Sequence, residues 1–264
     1  MMYFILTFFL GASVGSFVNV LIDRTMRNED WVRGRSHCDH CKKTLAWYDM
    51  IPVVSYLIYR GKSRCCGRPL SFRYPIVEII VGLLFTWWLG VGFVFFQLVK
   101  APLIVIQPLF WLLIGIILTI LAMADLFYGV VIMPIVWVGM GLTMIYRLVL
   151  LYYGVFQGID LVNSLILATV FFGFFWSLWK VTKGRGMAEG DMYVAGLMGL
   201  LLGWPSGVVA MMGSFVLGAI VGVFLIITRL RTRKQTVPFV PFMVASILIA
   251  LLWGEQIIRF IYLG

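Results

Sequence analysis

Two aspartates and four cysteines carry the chemistry this sequence can offer. Asp125 ends the apolar run Thr119-Ile-Leu-Ala-Met-Ala124, and Asp191 follows Gly184-Arg-Gly-Met-Ala-Glu-Gly190 just before another apolar run. An ionisable group at such a position is costly to hold near lipid and marks a functional site. Taken singly, each has a plain structural reading as an interfacial Asp at a helix end, and Asp191 is placed to N-cap the helix after it. As a pair they say more. Two carboxylates that share a proton differ in their hold on it, so one activates a water while the other protonates a scissile carbonyl. That is aspartic-protease chemistry, which requires neither a metal nor a covalent nucleophile. The only histidines, His37 and His40, lie beside the cysteines, so no rival catalytic set is present.

Cys38-Asp39-His40-Cys41 has the two-residue spacing that converges two thiolates on one zinc, and Cys65 and Cys66 follow about two dozen residues on. Adjacent side chains diverge, so the expected ligands are Cys38, Cys41 and Cys66 with one of Cys65, His37 or His40. A structural Zn2+ would organise residues 23–75, which have little core of their own. The other reading is four free thiols without metal. Reducing conditions disfavour a disulfide in either case. Within this segment Met50 to Tyr59 is apolar but too short to span, and suits the membrane surface.

The elements that must position these groups are membrane helices. With 62% hydrophobic and 12% charged residues and a mean hydropathy of +1.02, the chain has too little polar surface for a water-soluble globule. Spans are predicted at about 2–22, 76–97, 107–125, 132–150, 161–181, 192–203, 206–228 and 238–260. These runs are apolar all round, without the alternation of a membrane barrel. The first lacks a basic stretch before it and an A-x-A site after it, and so reads as a retained helix rather than a signal peptide. The sixth is short, set off from the seventh by Gly203-Trp-Pro-Ser206, because Pro205 can begin a helix but not continue one. The expected fold is an all-α polytopic membrane protein with eight transmembrane helices. Its parts are a first helix (1–22), a long cytoplasmic loop (23–75) and a seven-helix membrane domain (76–264) carrying the aspartates.

Charge sets the orientation. Of 21 lysines and arginines, 18 fall in loop 23–75, in loop 182–191 with its approach, or in loop 229–237. Basic loops face the cytoplasm, so both termini are expected outside, and the net charge of +10 reflects topology rather than nucleic-acid binding. Only Lys100, Arg147 and Arg259 fall towards the other side. The same map leaves Glu78, Asp125, Glu189 and Asp191 near the inner boundary of the membrane.

In this order the residues resemble the type 4 prepilin peptidase family of bacteria, nearly end to end. The resemblance rests on Gly15-Ser-Phe-Val-Asn-Val20 with Arg24, Cys38-x-x-Cys41, Leu45-Ala-Trp-Tyr-Asp-Met-Ile-Pro52, Cys66-Gly-Arg-Pro69, Phe72-Arg-Tyr-Pro-Ile-Val-Glu78, and Val237-Pro-Phe-Val-Pro-Phe242. Asp125 matches the first catalytic aspartate, and Ala188-Glu189-Gly190-Asp191, preceded by Gly186, matches the G-x-G-D motif carrying the second. The resemblance implies a multi-pass protein of the bacterial cytoplasmic membrane. It implies cleavage of the short basic leader from prepilins or pseudopilins at the cytoplasmic face, typically after a Gly. It also implies methylation of the new N-terminus, usually Phe, from S-adenosylmethionine, an activity associated with the first loop. Glu78, Arg73, Asn19 and Arg24 match family positions for that second activity, although hydrogen bonding at helix ends suits them as well.

Four positions depart from the family pattern. Ser63 stands where a second Cys-x-x-Cys would begin, and Ala188 replaces the first Gly of G-x-G-D. Tyr193 replaces a Lys, and the Pro expected at Ile132 is found at Pro134. Two competing classes predict something else. A proton-coupled transporter would set the carboxylates near the midplane within symmetry-related repeats. An inactive pilus-assembly scaffold would require Ala188 and Tyr193 to distort the site.

Overall fold

A computed structural model describes residues 2–30, 34–92, 102–184, 186–229 and 237–263, the side chains of 261–263 excepted. Arg33, the tail of the second expected span (93–97), Lys100, Arg185 and the basic stretch 230–236 lie outside the described residues. Each of the eight apolar runs is helical where described: α1 (Met2–Met26), α3 (Arg73–Trp87), α4 (Leu103–Tyr128), α5 (Met133–Tyr152), α6 (Gly158–Thr182), α7 (Glu189–Leu202), α8 (Ser206–Ile227) and α9 (Val240–Leu263). Between α1 and α3 lie a 3-10 turn, Trp47–Met50, and the short α2 (Val54–Ile58). Among the described residues no strand forms beyond two isolated bridges, His37 to Thr44 and Lys62 to Pro69.

Seven of these helices are long and apolar enough to cross a membrane, α3 being continued by the π-helical turn Trp88–Gly92 into a span of 20 residues, Arg73–Gly92. α7 is the exception. Its 14 residues rise about 21 Å, short of the roughly 30 Å of hydrocarbon. The expectation of eight full spans therefore meets seven of spanning length and one half-length helix. α1 runs four residues past the expected boundary, so Asp23 and Arg24 belong to its last turns.

The chain forms two compact units, Met1–Ile116 and Ile117–Gly264, with the division inside α4. In the first, α1 and α3 pack backbone to backbone. A Cβ on Gly15 would lie 2.8 Å from the Cα of Glu78, so only a glycine admits that approach. In the second unit α7 is the central element, packed by α5, α6, α8 and α9. It is buried on all sides from Val194 to Leu201, as expected of a helix apolar all round. A Cβ at Gly199 would sit 2.8 Å from Ala168 of α6.

Candidate functional site

Asp125 lies three residues from the end of α4 and is 4% exposed. Its Oδ2 accepts the backbone N–H of Val240 at 3.0 Å, and the N–H of Phe239 acts on the same carboxylate. Those donors are free because Val240 opens α9, and the first N–H groups of a helix have no partner within it. Pro238 and Pro241 flank them, so the Val237-Pro-Phe-Val-Pro-Phe242 segment presents its backbone to the first aspartate.

Asp191 occupies the third position of α7 and is 3% exposed. Its Oδ2 accepts the N–H of Ala188 at 3.1 Å, so it reaches back to the helix start from inside the first turn instead of N-capping from outside it. Oδ1 of Asp191 is buried without a hydrogen-bond partner among the described residues. Leaving a carboxylate oxygen so placed costs on the order of 1–3 kcal/mol. Asp125 acts electrostatically on Asp191. The two buried aspartates thus lie within reach of one another's charge in the second unit, although they stand 66 positions apart in the sequence.

The G-x-G-D segment has a packing explanation. A Cβ at Gly190 would overlap the Cβ of Val131, in the segment after Asp125, so Gly190 lets α7 begin against the strand of chain leading out of α4. Ala188 sits at φ −75°, ψ 150°, an ordinary region for any L-residue, and the Gly-to-Ala departure introduces no strain. Gly186 lies close enough to Thr182 that a Cβ would stand 3.2 Å from its methyl, and Glu189 is exposed at the helix start. Tyr193 is taken up by rings, 5.7 Å from Trp137 and 5.3 Å from Phe172. Pro134 falls in the first turn of α5, where its missing N–H is not needed.

One residue of this unit was not singled out from the sequence. Arg147 of α5 is 5% exposed, and its guanidinium donates to the carbonyl oxygens of Leu200 at 2.6 Å and Leu201 at 3.1 Å. It caps the far end of α7, whose last carbonyls would otherwise be orphaned. The signal was a lone arginine inside an apolar run. Arg147→Ala is expected to lower stability by about 3 kcal/mol, from two charge-assisted bonds lost. That is a fall of roughly 5–10 °C in the thermal midpoint in detergent, with Arg147→Lys recovering part of it. An unchanged midpoint in Arg147→Ala would remove the capping role.

In the first unit all four sulfurs of Cys38, Cys41, Cys65 and Cys66 lie within 4.8 Å of one another. Tetrahedral ligation at 2.3 Å gives sulfur–sulfur edges of about 3.8 Å, and Cys38 and Cys66 stand 3.8 Å apart. Burial opposes ionisation of Cys38. The backbone N–H groups of Cys41 and His40 and the hydroxyl of Ser63 outweigh it and bring the thiol down to about 6, as suits a metal-binding thiolate. The donor set therefore fits zinc. Cys65 joins the group despite adjoining Cys66, whereas Nε2 of His40 is engaged 3.2 Å from the Pro69 carbonyl.

Beside the cysteines lies a cavity of about 200 Å³ lined by Asn19, Arg24, Asp39, Tyr74 and Glu78 among others. Asn19 donates to the Tyr74 carbonyl at 3.0 Å, and Arg24 to the carbonyls of Asp30, Gly34 and Arg35. The Tyr74 hydroxyl stands between carboxylates, 2.8 Å from Asp23 and 2.7 Å from Asp39. Arg73 bridges to Asp23 at 3.2 Å. Asp39 belongs to the first cysteine pair, so this network ties that pair to α1 and α3. Glu78, buried on α3, accepts the N–H of Val53 at 2.7 Å. Val53 has φ 62°, ψ −48°, and the next N–H bonds back to the Pro52 carbonyl at 2.6 Å. A β-branched residue in that γ-turn is strained, and Glu78 helps to hold it.

A profile of the Bacterial Peptidase A24 N-terminal domain matches residues 9–90. The chain is 31% identical to the prepilin leader peptidase/N-methyltransferase of Myxococcus xanthus, over 89% of this chain and 67% of that protein. It is 30% identical to the protein of that name from Pseudomonas putida, over 97% and 92%, and 28% identical to the one from Bacillus subtilis, over 96% and 95%. No solved structure matches it. Likeness at 30% identity along nearly the whole of both this chain and the Pseudomonas putida protein makes this sequence a member of the prepilin leader peptidase/N-methyltransferase family.

Proposed function

We propose that the chain is a membrane aspartic endopeptidase. It removes the short basic leader of type IV prepilins or pseudopilins at the cytoplasmic face of the inner membrane and methylates the new N-terminal residue. The observation that carries the proteolytic half is the burial of Asp125 and Asp191 within range of one another's charge, with one carboxylate oxygen of Asp191 left without a partner among the described residues. The names of the relatives support the substrate. The basic loops support an active site facing the cytoplasm and termini outside, an orientation in which the short, enclosed α7 counts as the sixth of eight crossings, with the substrate's apolar helix in the bilayer and its leader in the cytoplasm.

Backbone N–H groups on Asp125 stabilise a carboxylate there, and the unpartnered Oδ1 of Asp191 is free to carry a proton. Asp125 takes a proton from the attacking water, and Asp191 gives its proton to the carbonyl oxygen as the tetrahedral carbon forms. Collapse breaks the C–N bond. The departing amine, the new N-terminus, takes the proton held by Asp125, while the hydroxyl proton returns to Asp191. The leader leaves with the new carboxyl group. Incubating the purified protein with a synthetic prepilin, with and without S-adenosylmethionine, and weighing the products tests both activities. Loss of the leader and gain of one methyl group are expected, and an uncleaved substrate would end the assignment.

For the second activity we assign the cavity of the first unit. Asp23, Asp39, Asp49 and Glu78 on its wall suit the positive charge and hydroxyls of S-adenosylmethionine, and Arg24 and Arg27 suit its carboxylate. When bound, that cofactor supplies an electrophilic methyl group. The protein must supply a neutral amine, and Glu78 is the buried carboxylate able to take its proton. Asn19 and Arg73 position Tyr74 and Asp23 around it. Zinc held by Cys38, Cys41, Cys65 and Cys66 would cross-link the loop that forms one wall. Glu78→Gln keeps an acceptor for Val53 but cannot take a proton. It is expected to cleave normally while methylation falls about 100-fold or more. Normal methylation by this variant would exclude Glu78 as the base.

A further inference from the structure

The two cysteine segments are one hairpin built twice. Cys38 N–H donates to the Lys43 carbonyl at 2.9 Å, and 25 residues on, Ser63 N–H donates to Arg68 at 2.8 Å. Lys42 N–H returns to the Cys38 carbonyl at 3.0 Å, and Gly67 N–H to Ser63 at 2.7 Å. Leu45 closes on Ser36 at 2.9 Å, and Leu70 on Gly61 at 2.8 Å. The bridge His37 to Thr44 corresponds to Lys62 to Pro69. Even the left-handed residue repeats, with Lys42 at φ 59° and Gly67 at φ 67°. In this correspondence Cys41 matches Cys66, Cys38 matches Ser63, and His40 matches Cys65.

Ser63 thus holds the place of a fourth thiolate. It is buried, and its hydroxyl lies 3.2 Å from the Cys38 sulfur and 3.1 Å from the Cys65 sulfur. Cys65, two positions along, reaches the group from outside the repeated pattern and stands 2.9 Å from Cys41. We propose that the fourth metal ligand of this duplicated hairpin has moved from position 63 to Cys65, and that Ser63 remains as a hydrogen-bond donor to one of the two thiolates beside it. Such a donor offsets thiolate charge and fixes ligand orientation, the role outer partners play at metal sites. It also makes Cys65 the ligand without the hairpin's own geometry behind it.

The inference rests on reading the four thiols as a zinc site, and a ligand exchange separates the two. Full-length protein, purified under reductant, is titrated with zinc against a chromophoric chelator, and bound metal is counted. Cys65→Ser should weaken binding at least tenfold. Adding Ser63→Cys to it should bring affinity back to within about threefold of the starting protein, because the symmetric ligand position is restored. Ser63→Ala alone should cost about tenfold, at the low end for loss of an outer partner. If the unaltered protein binds one zinc but Cys65→Ser binds it equally well, or the exchange restores nothing, the ligand shift is wrong while the metal site stands. If the unaltered protein binds no zinc, both fall.

Discussion

Asp125→Asn and Asp191→Asn each lose leader cleavage by about 100-fold to 10,000-fold, the range expected when a proton-transfer group is removed. The substitution is isosteric, and the amide oxygen still accepts the N–H of Val240 in one case and of Ala188 in the other. Both variants should therefore insert, purify and unfold like the unaltered protein. What asparagine cannot do is take a proton from water or pass one to a carbonyl. Rates from mass spectrometry of a synthetic prepilin, beside thermal unfolding of each variant, give the result. Cleavage at the unaltered rate by either one would dismiss that aspartate from the chemistry.

The second large effect comes from a methyl group. A Cβ at Gly190 would overlap the Cβ of Val131, an atom one bond from the backbone and unable to swing away. Gly190→Ala must therefore displace the start of α7 or the segment after Asp125, and with it the spacing of the two carboxylates. Misplacement by about 1 Å costs on the order of 100-fold in rate. A loss of that size in cleavage is expected, with Val131→Gly in the same chain recovering at least tenfold because the obstructing atom is gone. Unimpaired cleavage by Gly190→Ala would show that this contact does not set the site.

Much of this was legible in the sequence, because a membrane helix announces itself by composition. All eight apolar runs form helices among the described residues, and the short sixth run with its Pro205 boundary corresponds to a helix of 14 residues. Whether α7 crosses the membrane turns on length against bilayer thickness, which apolarity alone does not convey. Asp125 and Asp191 could be named from their places at the ends of apolar runs, but their proximity depends on packing that no local pattern encodes. Gly190 against Val131 and Val240 against Asp125 are contacts of that kind. Arg147 was visible as a charge in an apolar run, yet its partners are backbone carbonyls, which leave no mark in side-chain chemistry. The cysteines held the opposite difficulty. Adjacent Cys65 and Cys66 argue against a shared metal by local geometry; the repeated hairpin delivers Cys66, and Cys65 reaches the same place from outside the repeat.

The most direct test of the central claim is a double-mutant cycle on leader cleavage with Asp125→Asn, Asp191→Asn and the two combined. Groups that share one water and one proton act as a unit, so the combined variant should be no slower than the slower single one. If the losses instead multiply, the two aspartates act at separate steps or separate places, and a shared catalytic pocket is ruled out.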